Sequence, residues 1–273
     1  MIDEHLPFLR AVAANPADDL PRLVFADFLE ETGEPDSIAR AHFIRAQIAL
    51  TQLVPGSAEY RETEALQDRL LNLYLGSWIW DLPDHLHTDG RPVWQRGFIE
   101  SVRLSWRDLL TSSALFETVP ITRVQIAFAL VNYYNMVAQL EACHHVSRLT
   151  HLRFGPGINP AAMNGHSFPE NGLLHLFSRS RHFAGLQHLD ISGNAVASEV
   201  LTEFLLRFEE ASFAESLREL DLSDIPGLGD AVGSTLATAR GLESLDRLIL
   251  KRTELSEPVR AMLRRRFGER VVF

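Results

Sequence analysis

The chain has 273 residues, 46% of them hydrophobic and 23% charged, enough for a sizeable core and ordinary for a globular protein. No apolar run approaches a membrane span, and a net charge of −10 argues against a nucleic-acid backbone as the main partner. The single cysteine, Cys143, excludes an internal disulfide framework; with the acidic start Met1-Ile-Asp-Glu, unlike a signal peptide, it leads us to expect a cytoplasmic protein.

The charge is unevenly placed. Residues 1–75 hold 13 Asp and Glu against 6 Arg, and Lys251 is the sole lysine, so nearly every cation is an arginine suited to bidentate carboxylate pairing. Four helices are predicted in this acidic quarter. Residues 3–14 place Leu6, Leu9 and Ala13 on one face before Asn15-Pro16 breaks the pattern. Asp18 or Asp19 caps a second helix carrying Leu23, Val24, Ala26, Phe28 and Leu29, with Pro21 in its first turn and Gly33 at its end. A third runs from Asp36 to Leu53 on Ile38, Ala41, Ile44 and Ile48. After Val54-Pro-Gly-Ser57, a fourth spans Glu59 to Leu75 on Leu66, Leu70 and Leu73. Residues 1–75 thus read as an all-α domain. Residues 76–97, with Trp78, Trp80 and Trp94 among Pro, Gly and His, read as an aromatic connector.

From residue 98 to 273 the pattern becomes strand plus connection. Leu186-Gln-His-Leu189-Asp-Ile191-Ser-Gly-Asn194 reads L-x-x-L-x-L-x-x-N, the strand-and-turn signature of a leucine-rich repeat. The asparagine amide is placed to bond the backbone of its turn and of the neighbouring coil. The apolar triplet recurs at Ile99/Val102/Leu104, Ile121/Val124/Ile126, Leu149/Leu152/Phe154, Leu217/Leu220/Leu222 and Leu245/Leu248/Leu250. Successive copies are 22, 28, 37, 31 and 28 residues apart, and the longest gap contains residues 155–170, rich in Gly, Pro and Asn, read as a rim loop. Segments 198–208, 230–240 and 256–267 carry apolar residues at helical spacing, and Val271-Val-Phe273 makes a last short strand. The expected fold is therefore α/β: a leucine-rich-repeat solenoid, with a curved parallel sheet and outer helices, behind an N-terminal all-α cap domain.

The opening Phe8-Leu9-Arg10-Ala11 … Asn15-Pro16-Ala17-Asp18-Asp19 … Pro21-Arg22-Leu23-Val24-Phe25-Ala26-Asp27-Phe28-Leu29-Glu30-Glu31-Thr32-Gly33 resembles the bacterial repeat-companion domain, a short helical module that precedes leucine-rich repeats. Ala41-His-Phe-Ile-Arg-Ala-Gln47 looks like its third-helix motif, Arg96-Gly97-Phe98-Ile99 like its entry to the repeats, and Leu263-Arg-Arg-Arg-Phe267-Gly268 like its ending. Phe28 stands where the family usually has tryptophan. The repeats resemble the ribonuclease-inhibitor class, although Ile225 and Thr253 replace the turn asparagine in later copies. The resemblance implies a binding role and brings no catalytic residues with it.

Other motifs read as structure. Gly227-Leu-Gly229-Asp-Ala-Val-Gly233 has the wrong glycine spacing for a dinucleotide loop and reads as a repeat turn. Cys143-His144-His145 lacks the second cysteine pair of a zinc site and reads as a small buried thiol; His85 and His87 read as loop histidines. Asp27, Glu30, Glu31, Glu34 and Asp36 form an acidic cluster, either a solvated face paired with Arg22, Arg40 or Arg45, or a docking patch. No nucleophile elbow, Walker loop, HExxH or EF-hand pattern occurs. We expect no cofactor, no metal and no catalysis.

The residues that alternation turns outward along the strands are the best candidates for a partner site. They are Arg103, Arg123, Gln125, His151, Arg153, His188, Asp190, Glu219, Asp221, Arg247 and Lys251, with Trp106 as an aromatic anchor beyond the first strand. Their charges run basic, acidic, basic. The expected function is non-catalytic binding of another protein through this face, by a chain monomeric on its own. The competing classes are an inhibitory or regulatory subunit of a neighbouring enzyme, and a hydrolase working from the 155–170 loop.

Overall fold

Helical periodicity in the first quarter and period-two triplets in the rest produce an α/β architecture. The computed structural model describes residues 2–79, 93–128, 142–155, 180–194 and 196–273. It divides into two compact units, Met1–Arg103 with Ser112–Thr122, and Leu104–Thr111 with Arg123–Phe273. One eight-stranded sheet, ordered β1 to β8 as in the chain, is mostly parallel.

In the first unit, α1 (Ile2–Ala14), α2 (Leu20–Glu31), α3 (Pro35–Gln52) and α4 (Ala58–Ile79) follow one another. Asp18 rather than Asp19 serves the start of α2, its Oδ1 accepting from Leu20 N–H at 2.9 Å. Val12, Phe25, Ala26, Leu29, Ala41, Ile44 and Ile48 share one core with Phe98. A second cluster gathers Ala39, Phe43 and Leu70, with Leu66, Tyr74 and Trp78 packed on it. This corrects the expected apolar row of α4. The buried line advances by four residues through 66, 70, 74 and 78, leaving Leu73 71% exposed on the other side.

Strands β1 (Val93–Gln95) and β2 (Phe98–Ser105) form an antiparallel hairpin in which Gln95 pairs with Phe98. The two-residue loop Arg96–Gly97 has φ of 48° and 85°, as a type I′ turn requires. Gly97 is doubly constrained: a Cβ there would lie 2.7 Å from Ile44 Cα. Its N–H donates to Gln47 Oε1 at 2.7 Å, so α3 grips the hairpin tip.

The acidic cluster finds only one of the three arginines proposed for it. Arg45 donates to Asp27 and Glu30 at 2.7 and 2.8 Å. Arg22 turns inward instead and is fully buried. Its Nη2 reaches Glu100 and the Pro16 carbonyl, both at 2.7 Å, and its Nη1 the Gln95 and Arg96 carbonyls. Arg96 adds bonds to the same Glu100 oxygen at 2.9 Å and to the Pro16 and Ala17 carbonyls. Arg40 also turns inward, among aromatic rings. A guanidinium has a planar fork of donors and is weakly hydrated, so it can be buried where carbonyls or rings meet it.

After α5 (Trp106–Thr111) of the second unit and α6 (Ser113–Thr118) of the first come β3 (Arg123–Phe128), β4 (His151–Phe154), β5 (His188–Asp190), β6 (Glu219–Asp221), β7 (Arg247–Ile249) and β8 (Val271–Val272). These six pair parallel, each with the next. Val124, Leu152, Leu189, Leu220 and Leu248 stand in register, each at most 2% exposed. The other members of all six apolar triplets are buried as well. Three connecting helices bury apolar faces of their own: α7 (Ser198–Leu206) through Leu201 and Leu205, α8 (Asp230–Thr238) through Val232 and Leu236, and α9 (Glu257–Phe267) through Val259 and Leu263. The glycine motif is packing: a Cβ at Gly233 of α8 would meet Leu255 and Val259 at 2.5 Å.

Beyond each short strand the chain bends through one left-handed residue, Gly193, Asp224 or Arg252, with φ of 68°, 56° and 54°. Asn194 follows the first of these and is buried. Its amide donates to the carbonyls of Ile191, Ser192 and, at the end of β4, Phe154, at 3.0, 3.1 and 3.0 Å. The turns after the next two strands manage otherwise: Ile225 is apolar and buried, and Thr253 Oγ1 donates to the Leu250 carbonyl at 2.8 Å. The strained pair Asp224 and Arg252 meet in a bidentate ion pair.

Two substitutions test these locks. Glu100→Ala leaves two partly or fully buried guanidinium groups without their anion and is expected to cost about 3–5 kcal/mol in denaturant unfolding. Asn194→Ala strands buried carbonyls and is expected to cost about 2–3 kcal/mol by the same measurement.

Candidate functional site

Parallel pairing without offset turns the outward positions into two ladders. Arg123, His151, His188, Glu219 and Arg247 are register partners across β3 to β7. Two residues along, Gln125, Arg153, Asp190 and Asp221 form a second row, which ends at Ile249. Neighbouring rungs lie about 4.8 Å apart, close enough for side chains to touch.

They do touch. The rings of His151 and His188 stack with centroids 3.9 Å apart and planes 7° off parallel. His188 Nδ1 is 3.9 Å from Glu219 Oε1, and Arg247 Nη1 is 3.5 Å from Glu219 Oε2. In the second row Arg153 Nε meets Asp190 Oδ2 at 3.1 Å. The side chains of Arg153 and Arg247 remain 48% and 50% exposed, so each such pair stabilises by at most about 1 kcal/mol. The basic and acidic bands expected from the sequence are thus neutralised in part by one another.

Asp190 and Asp221 have a further duty. Each Oδ1 accepts the backbone N–H two residues on, from Ser192 at 2.8 Å and from Ser223 at 2.9 Å. These Asx turns end strands β5 and β6 and hold the carboxylates in place. On β7 Ile249 occupies the aspartate position, and Ser223 Oγ accepts from Lys251 N–H at 3.1 Å. Sequence alternation placed both aspartates outward but could not distinguish a waiting charge from a turn cap.

Arg103 is exposed on β2 in the first unit, and Lys251 lies past the end of β7, also exposed. Trp106 opens α5, but its side chain lies outside the described residues, as do His85, His87, Trp80 and residues 156–170 of the proposed rim loop. Cys143 is buried, its Sγ donating to the Leu110 carbonyl, and burial pushes its thiol up, away from the nucleophilic thiolate. Its neighbours are not ligands in waiting: His145 Nε2 bonds the Leu109 carbonyl at 2.7 Å and His144 packs edge-on against His182. Among the described residues no three His, Cys, Asp or Glu side chains converge as a metal site would need, and no helix is long and apolar enough to cross a membrane.

No protein-family model matches the chain, and no curated protein does. Among solved structures it is similar to a protein from Bacteroides fragilis determined by a structural genomics consortium, with 19% sequence identity and a TM-score of 0.44. The match covers 56% of this chain and 41% of that one, so the chain spans about two fifths of its length.

His151 makes the ladder sensitive to pH. Burial, then the neighbouring His188 and Arg123, hold its imidazole down at about 4, against 6.5 in an open chain. The unfolded chain therefore binds a proton between these values that the folded chain refuses. Stability owed to neutral His151 is intact above pH 6.5 and drains away as pH falls toward 4. His151→Phe keeps a ring for stacking and removes the titration. The wild type should lose melting temperature relative to this variant between pH 7 and pH 4.5; parallel curves would refute the assignment.

Proposed function

We propose that residues 98–273 are a leucine-rich-repeat solenoid of the ribonuclease-inhibitor kind, preceded by a helical domain of the repeat-companion type. On this reading the polar face of the parallel strands binds a partner protein without catalysis. The observation that carries it is the pair of in-register ladders on β3 to β7, nine polar or charged side chains backed by an unbroken apolar row. Several of them are already held, Asp190 and Asp221 by their turns, His151 by His188, Glu219 by Arg247. Side chains fixed before association lose less entropy on binding. A face that mixes both signs at short range favours a partner of matching pattern and rejects wrong registers by like-charge contact.

The variant that tests this must spare the turns. Asp190→Asn and Asp221→Asn keep an Oδ1 acceptor for Ser192 and Ser223, and Glu219→Gln keeps the shape; together they remove three negative charges. A photocrosslinking residue at Arg153 or Arg247 should capture one protein from the source cell, and the same residue at exposed Met262 of α9 should not. Affinity for that protein should drop about tenfold or more in the triple variant at unchanged melting temperature. Equal capture from all three positions, or unchanged affinity, would overturn the assignment.

A further inference from the structure

The two ladders are not evenly charged from end to end. On β3 and β4 they hold Arg123, Gln125, His151 and Arg153, with two cations and no acid. On β5 and β6 they hold His188, Asp190, Glu219 and Asp221, with three acids and no arginine. Burial and the neighbouring charges keep His151 neutral at pH 7, so the positive charge of the first end belongs to its two arginines.

Each acid is already engaged. Asp190 and Asp221 accept from their turn N–H groups, Asp190 also meets Arg153, and Glu219 lies between Arg247 and His188. The two arginines keep capacity in hand. Arg123 is exposed and forms no ion pair or hydrogen bond among the described residues. Arg153 gives only its Nε to Asp190, at 3.1 Å, and its terminal nitrogens meet no acceptor among the described residues. Both side chains reach solvent, and a guanidinium fork in that position takes a carboxylate through two parallel bonds.

Arg123 is the register partner of His151, so Arg153 stands one strand over and two residues along, roughly 8 Å away in the sheet. Two acidic side chains on one face of an extended segment, at positions i and i+2, are about 6.6 Å apart. Two long arginine side chains absorb that difference. Resting on the reading of this face as a partner surface, we propose that its β3–β4 end receives an extended acidic segment of the partner protein, one carboxylate on Arg123 and a second, two residues along, on Arg153. The separation favours two carboxylates over a single phosphoryl group.

The test adds the peptide acetyl-Ala-Glu-Ala-Glu-Ala-amide, its Gln counterpart or inorganic phosphate to the full chain at low salt, read by backbone amide NMR shifts. The Glu peptide should shift amides of β3 and β4 saturably, binding about tenfold or more tighter than the Gln peptide and tighter than phosphate. Arg123→Gln and Arg153→Gln should each weaken it about fivefold, with an unchanged circular dichroism spectrum. Arg265→Gln on α9 removes the same charge from another exposed position and should leave binding unchanged, which separates a local site from general attraction. If Arg153→Gln does not fold once Asp190 has lost its partner, Arg123→Gln still decides. No saturable shift, equal binding of the Gln peptide or of phosphate, or an equal loss in Arg265→Gln would overturn the proposal. The photocrosslinked partner tells its failure from that of the partner surface itself. Affinity lost in the Asp190, Glu219 and Asp221 triple variant but kept in Arg123→Gln would leave a partner surface without the acidic contact; affinity kept in both would sink both.

Discussion

The register between strands only a few residues long is the constraint on which the second unit depends. Strands β5, β6 and β7 have three residues each, too few for backbone hydrogen bonds alone to specify their pairing. What specifies it is the line from Val124 through Leu152, Leu189, Leu220 and Leu248, dry on every rung. A slip of one residue would bring His151, His188 and Glu219 into the interior and turn the leucines to water. The left-handed residue after each strand then returns the chain at a fixed point. Where glycine is absent, at Asp224 and Arg252, the strained backbone persists beneath an ion pair between the two side chains.

The same constraint shapes the electrostatics of the polar face. In-register stacking brings side chains of opposite sign to adjacent rungs, so Arg153 neutralises Asp190 and Arg247 neutralises Glu219 in part. The field of such a face falls off quickly with distance. It is suited to checking the fit of a partner at contact more than to attracting one from afar.

The first unit solves a different problem with the same residue type. Its core is small and its surface acidic, and three arginines are used in three ways. Arg45 stays at the surface with Asp27 and Glu30. Arg22 is dehydrated completely, and answered by Glu100 and three carbonyls. Arg40 is answered by rings, which satisfy its charge and leave hydrogen-bonding capacity over. Burying a charge is tolerable only where a partner is built in advance, and the hairpin Val93–Ser105 supplies one to both inward arginines.

Periodicity carried much of this in the primary structure alone. The six apolar triplets, the helices at 198–208, 230–240 and 256–267, and the bonding of Asn194 follow from side-chain spacing, which neighbouring residues determine locally. The extension of α4 to Ile79 and the exposure of Leu73 were not legible, because which of two helical stripes is buried depends on what packs against it. The fates of Arg22 and Arg40 were equally hidden. Their partners, Glu100, Trp78 and Trp94, lie about 40 to 80 positions away, and charge alone does not say whether an arginine will face an acid at the surface or a carbonyl in the core. The sequence determined which residues form strands and which point inward, since both are properties of short segments. Only the tertiary structure decided which charges meet, because that depends on chain segments brought together by folding.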